Sequence, residues 1–384
     1  MDRNTKTGLR VQGVDLSSYH ALLFFPDTVR AYIKLGRARL LPKLAKISEK
    51  YLGQALPIEV TADDTYAETR SAPHEILFGG EFRRDGIPAV SPKKSYYGVT
   101  EDGTIYFHSP SIVLFFWMWE QFLREFAPLG SVPTGIRREI PDFDPGELEK
   151  AGYRKVFDDD FDGEKLDMDV WAYRGVGANP CGSVSGAQAH VENGSLVLEG
   201  SYREDGEFGP GWYCVSVMPK KRYCRGYFEA RIRCSECRGR GGDDFWSAFW
   251  IQGSSPYKAE DSQGGVGPGG CEIDILENFG RDYTTSCFWV AGMEGEDDIS
   301  GELYEVKGLG DDFVDEYHTY GCVWDETCYR VYVDGMLMAC TDHGYGTSRV
   351  EEQVIFSMCC PNEITLDRSV KRIMYVDYLR IWQK

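Results

Sequence analysis

Six consecutive residues, Glu272-Ile273-Asp274-Ile275-Leu276-Glu277, set three carboxylates among aliphatic side chains suited to a buried strand. Successive side chains in a strand alternate faces, so Glu272 and Asp274 share one face while Ile273 and Ile275 enter the core behind it. Glu277 is an odd number of steps from Glu272. A regular strand would send it to the core, where an unpaired carboxylate costs several kcal/mol. A β-bulge near Ile275 or Leu276 returns Glu277 to the face of the other two acids. Like charges in one row repel, which keeps one acid protonated near neutral pH. Retaining glycoside hydrolysis uses such a pair, with carboxyls about 5–5.5 Å apart: one attacks the anomeric carbon, the other protonates the leaving oxygen and then activates water. Four strand steps separate Cα atoms by about 13 Å, so Glu272 and Glu277 must lean inward across Asp274 on a curved sheet. The alternative is an edge strand with a solvated acidic face.

Aromatic residues near this strand extend the candidate site. Trp246 and Trp250 are four apart in Asp244-Phe245-Trp246-Ser247-Ala248-Phe249-Trp250. Alternation puts both on one face, where flat rings stack on sugars or pack into a core. Trp289 and Asn278 flank the acidic strand and are candidates for the same groove or for packing and turn roles. His318 reads as structural, and Phe228, Phe249, Tyr332 and Tyr378 as core.

The elements that must hold these residues are strands. From about 156 to 384, turn signals separate short runs of β-branched and aromatic residues, such as Gly226–Arg233 and Tyr329–Gly335, with no long helical pattern between them. The expected fold is mainly β: an antiparallel β-sandwich jelly roll over 156–384 with a smaller N-terminal α+β domain over 1–128. In that first part a run at Ala21–Phe25 precedes a helical pattern from Val29 to Leu52. Strands follow at Pro57–Val60 and Glu75–Phe78, then a hairpin of Tyr97–Val99 and Ile105–Phe107. A closing helix runs from Ile112 to Phe126, capped by Ser111 and too short for a membrane. The stretch 129–155, with prolines at 133, 141 and 145, reads as a linker.

The 384 residues carry a net charge of −19, which argues against a polyanion such as nucleic acid. All 12 cysteines lie between Cys181 and Cys360, but Cys234-x-x-Cys237 has no second pair to complete a zinc site. The N-terminus MDRNTKTGLR has no apolar h-region, so a cytoplasmic location is expected, the alternative being a secreted protein whose signal has been removed.

Several segments, in order, resemble glycoside hydrolase family 16, the laminarinases and their relatives. They are Phe157–Gly163, Val191–Leu196, Tyr227–Arg231, Phe249-Trp250, Glu272–Glu277, His318–Tyr320, Tyr332–Gly335 and Val376–Tyr378. The resemblance spans essentially all of 156–384 and is to the bulged form of the motif. It implies Glu272 as nucleophile, Glu277 as general acid/base and Asp274 as helper, with Trp250 at the cleavage site. It also implies that Asp160 and Asp377 mark chain ends that hold a calcium ion in many relatives; no other cofactor is required. Two segments depart from the family: Gly175–Cys181 where an Asn-Glu-Leu-Gln-like loop is usual, and Ser286–Trp289 where a histidine is common. Separately, His74–Gly80 with its following hairpin and helix resembles the N-terminal accessory domain of bacterial α-glucuronidases and hexosaminidases, which implies a packing or spacer role. The expected activity is a retaining endo-β-glycanase on β-1,3- or β-1,3/1,4-glucan. The alternatives are a same-fold galactanase of agarase or carrageenase type and a non-catalytic carbohydrate-binding module. The expected partner is a polysaccharide or oligosaccharide, not nucleic acid or membrane.

Overall fold

A computed structural model of the chain describes residues 8–24, 41–61, 70, 72–79, 84, 86–87, 94–111, 113–237, 244–253, 270–278, 314, 316–342, 346–361 and 363–384, and the backbone alone of 283–290 and 299–306. It divides into two units, Met1–Pro141 and Asp142–Lys384.

In the first unit, strand His20–Phe24 lies parallel between Ile58–Thr61 and Glu75–Gly79, and Glu75–Gly79 lies parallel to Ile105–His108. Tyr96–Val99 closes the expected hairpin against Ile105–His108. The closing helix spans Leu114–Phe126. Its buried residues Leu114, Phe115, Met118, Trp119, Phe122, Leu123 and Phe126 recur at helical spacing and form one stripe. That stripe meets the sheet through Phe78 and Phe107, whose rings lie edge-on to Trp119. The Trp119 indole N–H donates to Ser48 Oγ of helix Leu41–Leu52 at 3.0 Å. Leaving that buried donor unpaired would cost about 1–3 kcal/mol. Ser111 is not the cap: the N-cap position falls at Val113, with no side-chain cap bond. The part of the helical pattern before Leu41, residues 29–40, lies outside the described residues.

Strand Ile136–Glu139 pairs with Tyr96–Val99, so part of the expected linker covers an otherwise open sheet edge. Further along, helix Gly146–Lys150 and the start of strand Arg154–Asp159 belong to the second unit. There the Phe143 ring packs 4.4 Å from Tyr227 and 4.7 Å from Tyr332.

The second unit is a curled antiparallel β-sandwich, the expected jelly-roll architecture. One sheet orders its strands as 299–306, 283–290, 271–278, 246–252, 353–359 and 211–219. The other runs 195–203, 371–383, 226–233, 318–324, 329–333 and 336–341. Strand Gly211–Pro219 joins them by changing partner midway: Gly211–Tyr213 pair with Ser201–Arg203, and Val215–Val217 pair with Phe356–Met358. Phe249, Ile251, Val354 and Phe356 from one sheet meet Phe228, Ile232, Met374 and Val376 from the other in one buried core. Tyr332 lies at the margin of burial, and Tyr378 is half-buried with its hydroxyl donating to Glu229 at 3.0 Å. Two hairpins turn through Asn193-Gly194 and Asp334-Gly335, all four residues at positive φ, which only Gly, Asn and Asp adopt readily.

Candidate active site

The acidic strand, Cys271–Asn278, carries the bulge that face-counting requires. Against strand Trp246–Gln252, Asp274 pairs with Trp250 and Leu276 with Phe249, so Ile275 is the extra residue. The same shift recurs against the other neighbour, where Asp274 opposes Ser286 and Glu277 opposes Thr284. Ile273, Ile275 and Leu276 are buried in the core, while Glu272 and Glu277 are half-exposed and Asp274 between them is 4% exposed.

Paired residues in neighbouring strands share a face, so the register builds three rows across the groove floor. Glu277, Ala248 and Ser357 form one; Asp274, Trp250 and Ile355 the next; Glu272, Gln252 and Gln353 the third. Cys359 pairs with Trp246 at the end of the floor. Burial, with the charges of Glu277, Cys214 and Asp274, pushes the Cys359 thiol well up, so it is neutral there.

Each carboxylate that resemblance singled out has a neighbour in its row or beside it. The Trp246 indole N–H donates to Glu277 Oε1 at 3.2 Å, and Gln252 Nε2 donates to Glu272 Oε2. Trp250 is tied down by its indole N–H to Ser357 Oγ at 2.9 Å, and Ser357 in turn lies 2.8 Å from Ser216 Oγ. Over the Trp250 ring, 4.8 Å from its centroid, sits the guanidinium of Arg174. One face of the ring expected to stack on sugar is therefore occupied by a cation.

The remaining expected residues fare differently. Asn278 turns away from the groove: it is fully buried, and its Nδ2 donates to the Ser235 carbonyl at 2.7 Å, tying the strand end to a neighbouring segment. The Trp289 side chain lies outside the described residues, though its backbone pairs with Cys271. His318 Nδ1 lies 2.6 Å from Asp334 Oδ2 beside the Asp-Gly turn, in keeping with a structural role. Asp160 and Asp377, the residues expected to mark a calcium position, are both engaged in ion pairs. Asp160 accepts from Arg380 Nη2 at 2.7 Å and Asp377 from Arg231 Nη1 at 2.8 Å, so each carboxylate already faces a cation. Among the described residues no three His, Cys, Asp or Glu converge on a metal position. Among them, too, no helix is long and apolar enough to cross a membrane. Arg174 and Gln252 went unmarked in the sequence. Gln252 could have been found by extending the alternation of Trp246 and Trp250 by two residues, whereas Arg174 carries no local signal.

Comparison with known proteins bears on this groove. Residues 183–350 match the family model for glycosyl hydrolases family 16. Beta-porphyranase E of Zobellia galactanivorans is 25% identical over 209 residues, covering 48% of this chain and 68% of that relative. Glucan endo-1,3-beta-glucosidase A1 of Niallia circulans is 24% identical over 235 residues, covering 55% of this chain but only 31% of the relative's length. Among solved structures, porphyranase B of Zobellia galactanivorans aligns with a TM-score of 0.49 at 18% identity, covering 64% of this chain and 99% of that one. Residues 183–350, within the second unit, thus form a glycosyl hydrolase family 16 domain.

Proposed function

We propose that the second unit is a retaining, endo-acting β-glycanase in which Glu272 attacks the anomeric carbon, Glu277 is the acid/base and Asp274 assists between them. The observation that supports this is the Ile275 bulge, which brings Glu272 and Glu277 to one half-exposed face on either side of Asp274. Glu277 protonates the leaving oxygen as Glu272 forms the glycosyl ester, then takes a proton from the water that releases it. The Trp246 N–H fixes one oxygen of Glu277 through both steps. A groove floor laid across several strands favours binding mid-chain.

For substrate, the first reading is a β-1,3- or mixed-linkage β-1,3/1,4-glucan. A same-fold galactanase is the second, favoured by a relative named a beta-porphyranase. For the first unit we keep only a packing or spacer role. Assays of reducing ends released from laminarin, lichenan, agarose, porphyran and carrageenan separate the readings; no release from either glucan removes the first. Glu272→Gln is expected to lower turnover by more than about 10³-fold while binding of the polymer persists. Wild-type turnover in that variant would leave a mechanism without Glu272 as nucleophile, and wild-type protein that binds without turnover would be a carbohydrate-binding module.

A further inference from the structure

The third row of the groove floor holds a chain of side chains that the glycosidase reading does not use. Arg174, just beyond strand Trp171–Tyr173, is anchored by its backbone N–H to the Ser216 carbonyl at 2.9 Å. Its Nη2 donates to Gln252 Oε1 and its Nε to Gln353 Oε1 at 3.3 Å, while the guanidinium lies on Trp250. Gln252, 6% exposed, donates from Nε2 to Glu272 Oε2.

The chemistry of these groups gives the chain a direction. A terminal amide can exchange its oxygen and nitrogen by a half-turn about one torsion, at little intrinsic cost. An arginine offers only donors, and an ionised carboxylate only acceptors. Between them Gln252 has one productive orientation, with its oxygen toward Arg174 and its nitrogen toward Glu272. The opposite orientation would set N–H against N–H on one side and oxygen against oxygen on the other. Arg174 is held from three directions, by the Trp250 face and the two glutamine oxygens, so the planar guanidinium provides a rigid stop.

We propose that Arg174, acting through Gln252, is a positioning residue for Glu272: it fixes the rotation of that carboxylate so that attack on the anomeric carbon follows one line. The inference rests on Glu272 being the nucleophile. Arg174 does not touch the reacting atoms in this arrangement. Its effect is on the alignment of the attacking group, where a misplacement of about 1 Å costs on the order of 100-fold.

The test uses the 384-residue chain with Gln252→Met, Arg174→Met and their double variant. Kinetics are measured on whichever polymer the substrate panel identifies and on an aryl β-glycoside with an activated leaving group. Each single change is expected to lower kcat about 10- to 100-fold with KM moving less than about threefold. The double variant is expected to be no slower than the worse single, because both remove the same constraint. The loss is expected to persist with the activated leaving group, since attack rather than leaving-group protonation is impaired. Arg174→Lys keeps the charge but not the planar fork, and is expected to recover less than tenfold. Circular dichroism and melting curves identify any variant that fails to fold; for that position Gln252→Leu or Arg174→Gln is substituted and judged by the same criteria. Wild-type kcat in either folded single variant, losses that multiply in the double, or a loss confined to KM would overturn the proposal. Glu272→Gln keeps the two levels apart: if it is inactive while Arg174→Met is fully active, only the positioning role fails; if it is active, the nucleophile assignment itself fails.

Discussion

At the scale of single residues, the groove gives each outer acid a different nitrogen donor. Glu277 takes an indole N–H from Trp246, and Glu272 takes an amide N–H from Gln252. The two tryptophans, equivalent by alternation, thereby differ: Trp246 touches an acid, while Trp250 is bound to Ser357 and covered by Arg174. Trp246→Phe keeps most of the ring but removes the donor to Glu277. It is expected to lower kcat on polymer about tenfold and to leave turnover of an activated aryl glycoside nearly unchanged, because that substrate needs little help from the acid. Equal losses on both substrates would assign Trp246 to ring stacking alone. A face-count of the strand would have nominated Gln252 alongside the tryptophans; it could not have nominated Arg174, which lies 78 residues away in sequence.

At the scale of elements, the bulge is a matter of parity. Five steps from Glu272 to Glu277 would bury the second acid, and the extra residue at Ile275 restores it to the groove. Deleting Ile275 makes the step four, so a regular strand would still send both acids to the groove face. That variant is expected to fold, to lose about 2–5 kcal/mol from the missing buried side chain, and to keep activity above background though reduced by about 100-fold or less as the local bend relaxes. Thermal melts and turnover check it; a folded variant with no activity would show that the bend, and not the face alone, is required. Beyond the bulge, Asn278 follows the restored alternation into the interior, which is why it ties the strand to Ser235 instead of bordering the groove. The stretch 129–155 was legible only as charged and proline-rich. Its strand at Ile136–Glu139 exists because the edge of Tyr96–Val99 offers backbone partners, and a single segment carries no record of that.

At the scale of the whole molecule, the second unit closes its chain ends with arginines where the family resemblance suggested a metal. Arg380 donates through Nε to Asp158 at 3.0 Å and through Nη2 to Asp160 at 2.7 Å, and it stacks 3.9 Å from the Tyr378 centroid. A guanidinium in that position supplies the positive charge that an ion would otherwise bring. A chelator is therefore expected to leave Tm unchanged, whereas Arg380→Met is expected to cost about 1 kcal/mol, the scale of a half-exposed pair with added stacking. A chelator-induced drop as large as that of the variant would restore the metal.

The sequence by itself determined the mainly β character of the second unit and the need for a bulge between Asp274 and Glu277, because alternation and turn chemistry act over a few residues. Only the tertiary structure decided that Gln252 stands beside Glu272, that Arg174 lies across Trp250 and that Asp160 and Asp377 face arginines. Those contacts depend on which strands become neighbours and in what register. Pairing of distant segments around a common core sets both, and no local pattern encodes them.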